Sequence, residues 1–500
     1  MDYLDPKKKR AHKYRLLVGY GFFAVAIAFA TLILVYLANG YFIDRRTGEV
    51  IQNGLVFIDS RPGNAEIYIN GERQRGRTDA RLVLPSGNYD FDLYREGYRP
   101  WNRSLSLDGG SLRRLTYARL VPEKLDTLST VLLPTTPAHV GQSVDKRWIV
   151  MSYPNNTEEL SLVDLNQAIP VAQTLELPDA LIAEGIEGHF EIIDWADDNA
   201  TVLLAYIATD GTVQYVTVDR RNPAQAQNIS TLFGDAPYEI NFRDRKRDQF
   251  FVFNPATQQL FTATLNNGVS TTPYINSSLL AYKIFGPDWV LYTVTGAEVG
   301  STEMRLRRGS QDILLRTMAQ ADDYILQLAK LGNVPVLAFT STEEDRVFVY
   351  YDPEKYLAEN PDARVPVATT TLQVESFIDM KISADSSVVL AYGTQQIASH
   401  EFEDERTYQF GLDMPIEIEH EPRWLDGQHF SYNSGGIQYM TDYDGSNIYQ
   451  LVTAEAKLGA LSSQEINRLF TFTAIEPGSE LVPTAPARMT ITSLLTPADR

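Results

Sequence analysis

Hydrophobic and polar positions divide this chain into two very different parts. Leu16 to Ile43 form an unbroken run of 28 uncharged residues, with no polar stripe at helical spacing. A helix apolar all round belongs in a core or a bilayer. At about 1.5 Å per residue the run exceeds a hydrocarbon core of about 30 Å, so one spanning helix is predicted over residues 16–43. Tyr14 and Tyr20 stand near one end of the run and Tyr36 and Tyr41 near the other, where amphipathic rings favour the membrane interface. Beyond it the pattern changes to short apolar–polar alternations broken by Gly, Pro, Asn and Asp, which predict strands and turns and almost no helix.

The flanks of the run give it a direction. Lys7, Lys8, Lys9, Arg10, Lys13 and Arg15 precede it against Asp2 and Asp5, while Asp44, Arg45, Arg46 and Glu49 nearly cancel after it. Excess positive charge stays cytoplasmic, so residues 1–15 form a basic cytoplasmic tail and the bulk of the chain lies outside. A cleaved signal peptide would have a shorter apolar stretch ending in a small-x-small site. Here Tyr36 occupies the position two before Ala38. The expectation is an uncleaved signal anchor in the cell membrane, with the lipid bilayer as the partner of residues 16–43.

After a linker over residues 44–52, residues 53–121 read as a compact all-β unit. Leu55, Phe57 and Asp59 alternate with Val56, Ile58 and Ser60, and Tyr89, Phe91 and Leu93 alternate with Asp90, Asp92 and Tyr94. These are half-buried strands. Asn70-Gly71 supplies a hairpin turn, because both residues tolerate positive φ. The unit resembles a PEGA domain, a small β-sandwich of prokaryotic surface proteins. The resemblance rests on Pro62-Gly63-Asn64-Ala65 followed by Glu66-Ile67-Tyr68-Ile69-Asn70-Gly71, on Gly76-Arg77-Thr78-Asp79, on Pro85-Ser86-Gly87-Asn88-Tyr89 and on Glu96-Gly97-Tyr98-Arg99-Pro100. Asp79 stands where the family usually has proline. The resemblance implies a structural or recognition module with no catalytic residues.

A proline-marked linker over residues 122–138 leads into residues 139–497, where strand cores recur. Trp148, Trp195, Phe250, Trp289, Val336, Val389, Phe430 and Phe470 are spaced by 47, 55, 39, 47, 53, 41 and 40 residues. Four-stranded propeller blades need roughly 40–50 residues each, so a seven- or eight-bladed β-propeller is predicted. Ala487 to Ser493 reads as a last strand able to close the ring. Acidic turns recur as well: Asp194-Trp195-Ala196-Asp197-Asp198, Ala384-Asp385-Ser386-Ser387, Trp424-Leu425-Asp426-Gly427, and Asp442-Tyr443-Asp444-Gly445. This sub-pattern resembles TolB-type propellers, which implies a fold and not a ligand.

Charge and composition narrow the chemistry. The chain carries −20 overall, and since its first 15 residues hold six positive and two negative charges, the remainder carries −24. That disfavours nucleic acid as a partner. With no cysteine, disulfides, thiolate metal sites and cysteine nucleophiles are excluded, and stability must come from core burial. Sequons at Asn102, Asn155, Asn199, Asn228 and Asn276 matter only in a glycosylating host.

The six histidines, His12, His139, His189, His400, His420 and His429, show no H-E-x-x-H or other zinc spacing in the sequence, so surface or core histidine is their plainer meaning. His420 and His429 flank Trp424. Asp442, Asp444 and Gly445 make half of a calcium-type loop, which a tight acidic hairpin explains without a metal. Glu403-Asp404-Glu405 and Asp244-Arg245-Lys246-Arg247-Asp248 read as solvated loop tips. No nucleophile elbow, P-loop or dinucleotide fingerprint occurs.

The sequence thus predicts an all-β chain with one membrane helix, a PEGA-like sandwich acting as a stalk, and a propeller. No catalytic, cofactor or metal residues are assigned. The expected function is binding or scaffolding of an envelope protein or glycan. The alternative is a glycan-acting hydrolase or lyase using a carboxylate pair about 5–10 Å apart, with Asp194, Asp197, Asp385 and Asp426 as the candidates.

Overall fold

The computed structural model describes residues 6–38, 41–43, 50–154, 156–167, 169–183, 186–234, 237–417, 421–454, 458–475 and 487–500. Asn155, His420 and most of the 44–52 linker lie outside the described residues. The chain forms two compact units, Met1–Glu123 with Asp499 and Lys124–Ala498 with Arg500.

The first unit begins with an α-helix, Pro6–Ala38, of 33 residues. Its stretch His12–Tyr36 has a mean hydropathy of 2.3 and contains no buried residue. Leu17, Phe22, Phe23, Val25, Phe29 and Leu34 are all at least 63% exposed. The helix is long and apolar enough to cross a membrane. It ends earlier than the predicted boundary at Ile43: Tyr41–Ile43 is a strand paired antiparallel with the start of Val50–Arg61.

The remainder of this unit is two facing sheets. In one, Val50–Arg61 pairs antiparallel with Ala80–Pro85 and parallel with Leu112–Arg119. In the other the order is Glu72–Arg77, Glu66–Ile69, Gly87–Tyr94 and Trp101–Leu107. Val56, Ile58, Ile67, Phe91, Leu93, Trp101, Leu105 and Leu115 form the shared core. Alternation explains which residues enter it: Trp101, Arg103, Leu105 and Leu107 are buried while Asn102, Ser104 and Ser106 are exposed. Asn70 and Gly71 take φ of 50° and 78°, as the hairpin turn requires.

Thr78 gives the spacing of two sequence elements a physical cause. Its Oγ1 accepts from Ala65 N at 2.9 Å and lies 2.6 Å from Ser60 Oγ. Its carbonyl and N–H meet Asn64 N and Ala65 O, both at 3.0 Å. The Pro62–Ala65 turn is therefore clasped by a buried threonine.

Among the described residues, the second unit forms eight four-stranded antiparallel sheets. The first strands are His139–Gln142, Gly188–Trp195, Glu239–Phe242, Leu279–Phe285, Tyr324–Leu331, Phe377–Ile382, Arg423–Trp424 and Leu461–Ser462. In each of the first seven sheets the strands pair in chain order. The eighth holds Leu461–Ser462, Arg468–Ala474 and Ala487–Ser493, and takes its fourth strand, Asp126–Leu133, from the segment before the first sheet. The predicted 122–138 linker is thus in part a structural strand.

Each of the eight apolar cores read from the sequence falls in a different sheet. Seven lie in second strands, and Trp195 closes a first strand. Neighbouring sheets share hydrophobic clusters. Leu160 and Leu162 meet Phe190 and Trp195; Leu203 and Ala205 meet Ile240 and Phe250; Phe251 and Leu260 meet Val290 and Tyr292. One continuous cluster joins the fourth, fifth and sixth sheets through Leu306, Leu328, Phe339, Met380 and Val389. Leu390 and Ile397 pack on Phe430, and Gln438 Oε1 accepts from Ala460 N at 2.9 Å. Phe470, Met489 and Val131 of the eighth sheet pack on Ile149, Met151 and Val163 of the first. The arrangement is propeller-like.

Candidate functional site

Several of the recurrent aspartates belong to one repeated turn between first and second strands. Ser143, Ala196, Ser383 and Ser463 each accept from the residue three on, at 2.9, 3.2, 2.9 and 2.9 Å. The residues donating those bonds, Lys146, Asn199, Ser386 and Ile466, have φ of 56°, 51°, 65° and 53°. Within this turn Asp145, Asp198 and Asp385 accept from the backbone N–H two residues on, at 3.1, 2.9 and 3.0 Å. Asp426 does the same with Gln428 N at 2.8 Å. An aspartate oxygen that bonds its own backbone two residues on fixes such a turn.

The four carboxylates of the hydrolase reading are therefore engaged elsewhere. Asp385 also accepts from Ser383 Oγ and Ser387 Oγ, both at 2.7 Å. Asp426 meets His429 Nδ1 at 2.9 Å. Asp194 pairs with Arg245 at 3.2 Å, and Asp197 pairs with Lys246. The Asp244–Asp248 cluster is accordingly no free loop tip, because two of its cations tie the third sheet to the second. Glu403, Asp404 and Glu405 are exposed.

The half calcium loop is likewise closed on itself. Asp444 accepts from Ser446 N and Oγ at 3.2 and 2.7 Å. Asp442, 1% exposed, accepts from Asn447 Nδ2 at 2.9 Å and lies 3.3 Å from His429 Nε2. Of the sequons, Asn199 Oδ1 accepts from Asp145 N at 2.9 Å, and Asn228 caps the short helix Ile229–Phe233.

Convergence is found instead along the first strands. Burial, reinforced by the charge of Lys381, pushes the Lys283 ammonium pKa down, while Asp379, Glu421 and Asp194 oppose the shift. Asp194 lies in the second sheet, Lys283 in the fourth and Asp379 and Lys381 in the sixth, while Glu421 stands just before the first strand of the seventh. Lys283 itself is exposed to solvent. Lys381 is desolvated too, but Glu421 at 2.6 Å and Asp379 at 2.9 Å outweigh that and hold its pKa up. Next to Lys283, Tyr282 donates to Glu239 of the third sheet at 3.3 Å, and burial pushes the Tyr282 pKa up.

A second constellation joins the first strands of sheets one and two. His139 Nε2 and His189 Nε2 lie 3.7 and 3.6 Å from the same Glu191 Oε1. The two rings are parallel to within 11°, with centroids 6.1 Å apart. All three side chains are between 36 and 41% exposed. Their ligand atoms all fall within 4.8 Å of one another, close enough to share a metal ion. The sequence carried a trace of this: His189-x-Glu191 places both side chains on one strand face, and His139 stands 50 residues earlier, about one repeat. The other described histidines are apart from it, His12 on the apolar helix and His400 and His429 buried at 3 and 1%.

A cleft of about 500 Å³ between the fifth and sixth sheets is lined by Glu344, Asp345, Arg346, Gln373, Glu375 and Gln396. Its polar groups satisfy one another: Arg346 pairs with Asp345 at 2.8 Å, and Glu375 N donates to Gln396 at 2.7 Å.

Comparison with known proteins places one part of the chain. Residues 53–120 match the PEGA domain family. No curated protein matches the chain. Among solved structures it is similar to Kluyveromyces lactis Hsv2, at 12% identity and a TM-score of 0.38 over 64% of this chain and 98% of that one. It is also similar to the complex of KlAtg21 with the coiled-coil of AgAtg16, at 9% identity and a TM-score of 0.41 over 63% of this chain and 98% of that one. A third is the dihydro-heme d1 dehydrogenase NirN in complex with DHE, at 12% identity and a TM-score of 0.37 over 64% of this chain and 66% of that one.

Proposed function

We propose that the chain is a membrane-anchored, extracytoplasmic binding or scaffold protein. The helix Pro6–Ala38 serves as an uncleaved signal anchor with its N-terminus in the cytoplasm. The PEGA domain acts as the spacer that follows it in the chain. The eight sheets are the blades of an eight-bladed β-propeller of TolB-like type, with Asp126–Leu133 as the strand that closes the ring. The partner class is an envelope protein or envelope polymer, engaged at the mouth of the inner passage.

The observation that carries this reading is an apolar helix with no buried residue over His12–Tyr36, followed in the chain by a unit of four-stranded sheets packed sheet against sheet. An all-exposed apolar helix is stable in lipid and costly in water. A rigid set of sheets with polar groups at its inner strands is a common platform for recognition. The carboxylate-pair reading gains no support from Asp385 and Asp426, whose oxygens hold turns.

The test is site-specific photo-cross-linking in intact cells. A photoreactive residue replaces Glu239 or Leu280, exposed on inner strands, or Val299 in the exposed outer hairpin. Discrete adducts from Glu239 and Leu280, absent from Val299, are expected. Adducts from none of the inner-strand positions, with lipid adducts still formed from the helix, would contradict the reading.

A further inference from the structure

We propose that His139, His189 and Glu191 form a binding site for a divalent first-row transition ion, with zinc as the favoured occupant. Two imidazole nitrogens and one carboxylate oxygen are ligands that suit zinc. Around a tetrahedral zinc with bonds of about 2.0–2.2 Å, neighbouring ligand atoms stand roughly 3.4 Å apart. The two nitrogen-to-Glu191 distances of 3.6 and 3.7 Å need a few tenths of an ångström of closure, and the two imidazole nitrogens, within 4.8 Å of each other, draw together by rotation of half-exposed side chains.

The backbone holds the three groups without strain of its own. His189 and Glu191 sit two apart on the strand Gly188–Trp195 and share a face. His139 opens the strand His139–Gln142 of the preceding sheet and is fixed opposite Ser152. In the second sheet, His189 is fixed opposite Ile207 and Glu191 opposite Ala205. The parallel rings bring both Nε2 atoms toward one carboxylate. A stacked pair of histidines alone would not require that shared target.

Three protein ligands leave a fourth position on the ion open. The site is reachable from solvent, its three side chains being 36 to 41% exposed. A bound ion would therefore cross-link the first two sheets and present an exchangeable position able to accept an oxygen or nitrogen ligand from a partner.

The experiment uses the untagged full chain in detergent, stripped with chelator and titrated with Zn²⁺ by calorimetry, and with Co²⁺ by visible absorption. One ion per chain is expected, with Co²⁺ giving the intense d–d bands of a low-coordinate site. H139A, H189A and E191Q should each weaken Zn²⁺ binding at least tenfold, while H400Q binds as the wild type does. Apo melting curves of the variants, matching the stripped wild type, show that the fold survives. Failure of the wild type to retain any ion at micromolar Zn²⁺ would overturn the proposal. So would unchanged binding in all three ligand variants.

Discussion

His400 is 3% exposed, its Nδ1 lies 2.9 Å from Thr407 Oγ1, and burial pushes its pKa down to about 4. An unfolded histidine titrates near 6.5, so between these values the unfolded chain binds a proton that the native chain does not. Stability is therefore full above about pH 6.5 and is lost as pH falls through 4, by up to roughly 3 kcal/mol. The thermal midpoint should drop over that window, and H400Q should flatten the drop; an unchanged acid slope in the variant would refute the assignment. In sequence His400 looked no different from His139 or His189. Burial and pairing arise from which strand face each residue occupies and from which sheet lies beside it, and neither is encoded within a few residues of the histidine.

Turns and strands were more legible than side-chain partners. The recurrence of aspartate after the first strand was visible in sequence, but its cause was not, because a turn-fixing carboxylate and a catalytic one have the same local spelling. Gly427 shows how tightly two such turns fit: a Cβ there would lie 1.9 Å from Asp385 Oδ2. G427A should cost about 1–3 kcal/mol, since overpacking displaces the Asp385 turn. In a D385A background the same change should cost clearly less, because neighbours that clash do not add. Equal costs in both backgrounds, by denaturant unfolding, would show the two turns to be uncoupled.

The strand Asp126–Leu133 was hidden for a different reason. Its partner Ala487–Ser493 lies more than 350 residues away, with Thr130 opposite Thr490, and no local signal reports a pairing of that length. Because the chain has no cysteine, T130C/T490C offers a clean probe of it. Oxidation should join the two positions in nearly all molecules and stabilise the sheets by up to roughly 5 kcal/mol, the upper range for a long closed loop. Free thiols persisting under oxidant, by mass spectrometry, would place the strands apart.

For the whole molecule, the broad outline came from patterns that are long or repeated: an all-apolar run, a domain motif at residues 53–120, and eight recurrent apolar cores. Such patterns survive averaging over many residues. A three-residue metal constellation drawn from two sheets does not, and it emerged only when neighbouring first strands were placed side by side. The net charge of −20 suits a surface kept soluble by self-repulsion. Deleting residues 6–38 should release the chain from membranes, where the full chain should resist high salt and yield to detergent.

The absence of native thiols also makes the orientation directly measurable. Val299, exposed in its hairpin, and Asp2 are each replaced by cysteine in separate chains, and intact cells are treated with a membrane-impermeant maleimide. The account predicts that V299C is labelled in intact cells, whereas D2C is labelled only after permeabilisation. Labelling in the reverse order, or recovery of V299C in the soluble fraction, would contradict a membrane-anchored scaffold facing out of the cell.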